Sequence, residues 1–137
     1  MLTVHIISDS IGNTAKDVVD AALVQFSYEN KKYKVLKNSN VCTKEKIDCI
    51  ISNINERDVI VQTLVDGALA SYVKEKGLEK NIKVIDLLSE MLSAFEEKLG
   101  VKAEGNPGLN RKMGEEYFKR IDALEFAVKY DDGKDIN

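Results

Sequence analysis

Hydrophobic positions along this chain alternate between two spacings. Residues 2–8, LTVHIIS, form a short apolar run rich in β-branched side chains that stops at the polar pair Asp9-Ser10. That pattern predicts a buried strand. Ala15, Val18, Val19, Ala22, Leu23 and Phe26 then recur three and four residues apart, the spacing of one helix face. Tyr33 and Val35 alternate with Lys32, Lys34 and Lys37, which predicts a strand with one wet face at the edge of a sheet. Thr43 is placed to cap a helix whose buried face is Ile47, Ile50, Ile51 and Ile54. Val59, Ile60 and Val61 read as a central strand. After it, Asp66 or Thr63 precedes a helix with Leu69, Tyr72 and Val73 inward and Gly77 as its C-terminal stop. Ile82, Val84 and Ile85 predict a further strand, and Leu88, Met91, Leu92, Phe95 and Leu99 a further helix closed by Gly100.

Alternating strand and helix predicts the α/β class: an open, mostly parallel sheet of about four strands flanked by helices. Residues 1–100 would form this α/β domain. Residues 101–137 differ. They begin with a turn holding Gly105, Pro107 and Gly108, where Asn106-Pro107 can start a helix. Met113, Tyr117, Ile121, Leu124 and Val128 follow on one stripe, with Phe118 and Phe126 off it. The expectation is a long C-terminal helix of about 30 Å that contacts something besides its own sheet. Asp131, Asp132 and Gly133 then read as a turn.

Composition narrows the class of function. The chain has 137 residues, the size of one compact domain, with 44% hydrophobic and 31% charged positions. Twenty Lys and Arg stand against 23 Asp and Glu, a net charge of −3. That balance carries no electrostatic footprint for nucleic acid. No apolar run approaches the ~18 residues of a membrane span, and MLTVHIISDS has neither the basic start nor the cleavage site of a signal peptide. A cytoplasmic protein is expected. Cys42 and Cys49 are not in a CxxC spacing and read as reduced thiols near a helix start. His5, the single histidine, lies in an apolar run and reads as a packed strand residue, so no metal site is expected.

The richest chemistry lies in residues 8–14, where the first strand meets the first helix. Ser8, Asp9, Ser10, Gly12, Asn13 and Thr14 bring three hydroxyls, a carboxylate and a glycine to the end of a strand. Ligands of open α/β sheets bind outside the carboxyl ends of the strands. The amides that open the helix, with Ser10, Asn13 and Thr14, could hold a phosphate or another anion. The plainer reading is helix capping with a turn glycine. Thr63, Asp66 and Gly67 leave the third strand and would share the same rim. Asn110-Arg111-Lys112 places cations near a helix start, as solvated charges or as an anion site.

Several signatures are absent from this sequence: GxGxxG, GxxxxGK[ST], a DxD pair (position 11 is Ile11), and an aspartate ending the third strand, where Gln62-Thr63 stands. No catalytic residue is assigned.

Three strings together carry a resemblance: HIISDSIGNTAKDVVDAALVQF, VIDLLSEMLSAFEEKLG and GNPGLNRKMGEEYFKRIDALEFAVKYDDGKD. In this order they resemble the bifunctional regulatory proteins of pyruvate, phosphate dikinase and phosphoenolpyruvate synthase, the kinase–pyrophosphorylase family. The third string is the most specific, and the resemblance covers essentially the whole chain. It implies ADP-dependent phosphorylation of a threonine on the target enzyme, and phosphate-dependent removal of that group with release of pyrophosphate. It also implies a second domain beyond the YDDG turn, with a phosphate loop of the type GVSRTSKTP. No such loop occurs in these 137 residues. Residues 101–137 would thus lead toward an absent C-terminal P-loop kinase domain, with Asp131, Asp132 and Gly133 shaping the connection. ADP and phosphate would be ligands of the full-length protein rather than of this stretch, which by itself would be inactive. The resemblance gives the 8–14 loop a ligand or interdomain role. Two alternatives stand beside this reading: a non-catalytic docking or homodimerisation module, and an independent flavodoxin-like binder of small ligands.

Overall fold

Strand and helix alternate throughout the described residues, 1–29 and 32–106, of the computed structural model. The elements are β1 (Leu2–Ser8), α1 (Asn13–Leu23), β2 (Tyr33–Asn38), α2 (Lys44–Ile51), β3 (Val59–Thr63), α3 (Gly67–Glu79), β4 (Lys83–Asp86) and α4 (Ser89–Leu99). All belong to one unit, Met1–Pro107. The long helix expected from about Leu109 to Lys129, the run Asn110-Arg111-Lys112 with its two cations, and Asp131, Asp132 and Gly133 lie outside the described residues.

Each strand pair is parallel, in the order β2-β1-β3-β4. Strand β2 is therefore at an edge, as its lysine alternation predicts. Successive side chains of a strand point to opposite faces, so β1 builds two cores. Val4 and Ile6 pack with Val61 and with Ala15 and Val19 of α1. Ile7 packs with Ile60, with Ile47 and Ile51 of α2, and with Ala70 and Val73 of α3. The sheet is thus covered on both faces, and its central strands read as near-continuous apolar runs for that reason. Ile6, Ile7, Ile47 and Ile60 are fully buried. Each contributes about 1.5–3 kcal/mol by leaving water.

Helix α2 starts as its sequence predicts: Thr43 Oγ1 accepts the Lys46 amide at 3.1 Å. Helix α3 is tied to it by Tyr72, half-buried against the core, whose hydroxyl donates to Asp48 Oδ1 at 2.6 Å. That bond favours the protonated phenol and pushes its pKa up to about 12. Lys44 and Lys76 both lie over the Tyr72 ring.

Three expectations are corrected. Helix α1 ends at Leu23, and Val24–Glu29 continue as a 3₁₀ segment. Val18 and Phe26 are exposed, so the buried stripe narrows to Ala15 and Val19. Gly77 does not stop α3; it lies inside the helix and is buried. A Cβ there would come within 2.4 Å of Val84 Cγ2, so the glycine lets α3 approach β4. The left-handed residue after the helix is Asn81, at φ 60°. Finally, Gly100 does close α4, but no residue of that helix is buried, and Met91, Phe95 and Leu99 stand in the open. Its periodicity marks an apolar face without a covering partner among the described residues.

Candidate functional site at the carboxyl ends of β1 and β3

Strand order creates one distinctive place. The chain leaves β1 toward β2 on one side and returns across β1 to form β3 on the other. Connections diverge at this switch point, which leaves a crevice at the carboxyl ends of β1 and β3. The loops that leave these strands hold both groups of residues singled out in the sequence.

The last paired residues across the crevice are Ser8 and Thr63. Both are buried. Ser8 Oγ accepts the Ser10 amide at 3.0 Å and lies 3.3 Å from Ser10 Oγ, so it shapes the loop from within. Asp9 spans the crevice. Its Oδ2 accepts the Val65 amide at 2.8 Å. Burial raises the Asp9 pKa and nearby Asp66 adds to this, against the lowering effect of the Val65 amide. Asp66 itself caps α3: its Oδ1 accepts the amides of Ala68 and Leu69 at 2.9 and 3.3 Å. Gly67 is exposed, with open space where a Cβ would stand.

The loop is also laced to the segment after β2. The Asn40 and Val41 amides donate to the carbonyls of Ser10 and Ser8, each at 2.9 Å. Ser39 Oγ donates to the Ile11 carbonyl at 3.1 Å, and Asn38 Nδ2 to that of Ile6 at 3.0 Å. Gly12 is buried at φ 85°, the left-handed conformation that favours glycine. It occupies the N-cap position of α1, and no side chain caps that helix. Ser10, Asn13 and Thr14 therefore do not act as its caps, contrary to the plainer sequence reading. Asn13 and Thr14 are exposed instead, and Lys37 Nζ donates to Asn13 Oδ1 at 3.1 Å.

Sequence reasoning missed Lys37 as a rim residue. Its alternation marked only a wet edge, whereas its register opposite Ile6 carries it toward the carboxyl end. It also missed the network around Asp86, at the end of β4. Asp86 Oδ1 accepts the amides of Leu88 and Ser89 at 3.1 and 3.0 Å, while Oδ2 lies 2.5 Å from Ser89 Oγ and 3.3 Å from Lys74 Nζ. Burial works to raise its pKa, but the Ser89 bonds and the other donors outweigh it and hold the carboxylate low. Midway along β1 His5 is packed as expected, its Nε2 3.1 Å from Oδ2 of Asp58, the residue before β3. Cys42 and Cys49 are free, exposed thiols.

The rim offers binding chemistry. The uncapped start of α1 carries partial positive charge, the Lys37 ammonium stands beside it, and Asn13 and Thr14 add polar side chains. These groups suit an anion such as a phosphate. The Asp9 carboxylate is committed to holding the two loops together. Among the described residues, no group of three or more His, Cys, Asp or Glu side chains is placed to hold a metal ion. Nor, among the described residues, is any helix long and apolar enough to cross a membrane.

Comparison with known proteins decides the family. Residues 4–137 match the model of the family described as kinase/pyrophosphorylase. The chain belongs to the kinase/pyrophosphorylase family. Among its relatives, a protein of Streptococcus uberis named as a pyruvate, phosphate dikinase regulatory protein is 42% identical over 136 residues, covering 98% of this chain and 49% of its own. Proteins of the same name from Alkaliphilus oremlandii and Staphylococcus carnosus are 42% and 38% identical, over 98% of this chain and 48% and 49% of theirs. The chain thus spans about half the length of these relatives.

Proposed function

We propose that this chain is the N-terminal half of a bifunctional enzyme that regulates pyruvate, phosphate dikinase or phosphoenolpyruvate synthase in the cytoplasm. In one direction ADP gives its β-phosphoryl group to a threonine hydroxyl of the target, leaving AMP and an inactive target. In the other, inorganic phosphate takes the group from the phosphothreonine, releasing pyrophosphate and the free hydroxyl. The observation that carries this reading is the family match over residues 4–137 together with the shared name of relatives twice as long. The β1–β3 rim supports it in a limited way, because its groups suit contact with a phosphate-bearing ligand or a partner surface.

In this reading the half described here binds and positions, and transfer of the phosphoryl group needs the phosphate loop of the other half. The chain alone is then inactive. Calorimetric titration with ADP, AMP and phosphate, repeated on Lys37→Gln, tests what the rim does. Heat that weakens several-fold in the variant assigns the rim to a phosphate-bearing ligand. Absence of heat with all three assigns it to contact with protein instead. Transfer of labelled phosphate from β-labelled ADP to the target by this chain alone would overturn the division of labour.

A further inference from the structure

We draw no further inference here: the strongest candidate, the exposed apolar face of α4 formed by Met91, Phe95 and Leu99, carries nothing because nothing in the structure shows what covers it.

Discussion

Asp9 Oδ2 accepts the Val65 amide at 2.8 Å, so one carboxylate joins the loop leaving β1 to the loop leaving β3. The bond crosses the switch point of the sheet. Asp9→Ala leaves the Val65 amide without this acceptor and should cost about 1–2 kcal/mol, read as a lower urea midpoint.

Asp9→Asn should behave differently, because it keeps an oxygen acceptor and removes a charge. Burial, with Asp66, raises the folded pKa of Asp9 above the ordinary 3.8. Its contribution to stability is then fully present below the unfolded pKa and is lost as pH rises through the folded pKa. At pH 7 the ionised form therefore supports the fold less well than the protonated form does. The variant should match or exceed the parent in stability at pH 7 and lose that advantage near pH 3. An Asn variant as damaged as the Ala variant at pH 7 would contradict this.

Asp58 has the opposite sign. Burial works to raise its pKa, but bonds from His5 and the Asn55 amide prevail and hold it below 3.8. Its contribution is present above the unfolded value and disappears as pH falls through the folded one. Asp58→Asn should therefore be less stable than the parent at pH 7, and the gap should close in strong acid. Paired urea titrations across that range check it.

Two glycines in one helix separate backbone preference from packing. At Gly67, with open space for a Cβ, alanine should stabilise α3 slightly, by at most about 1 kcal/mol. At Gly77 the same change drives a Cβ into Val84 and should cost about 1–3 kcal/mol despite the better helix propensity. Adding Val84→Ala to the Gly77 variant should recover part of the loss. Thermal melts of the three variants provide the comparison.

The fold was legible wherever burial is local. Continuous apolar runs marked β1 and β3, lysine alternation marked the edge strand β2, and Thr43 and Asp66 cap α2 and α3 as residue type predicts. What escaped depends on pairs distant in sequence. Gly77 resembles a stop until β4 is seen against it, and Asp9 resembles a ligand residue until Val65, 56 positions away, is seen to donate to it. Lys37 reached the rim only through its register with β1. The α4 stripe shows the limit of periodicity, which identifies an apolar face but not its partner.

In the proposed function this chain serves a regulator of a dikinase or synthase. Its most direct test is sedimentation velocity of the purified chain mixed with pyruvate, phosphate dikinase and, separately, with phosphoenolpyruvate synthase. A faster-sedimenting complex is expected with at least one of the two enzymes. Free sedimentation of every component in both mixtures, at concentrations well above micromolar, would contradict it.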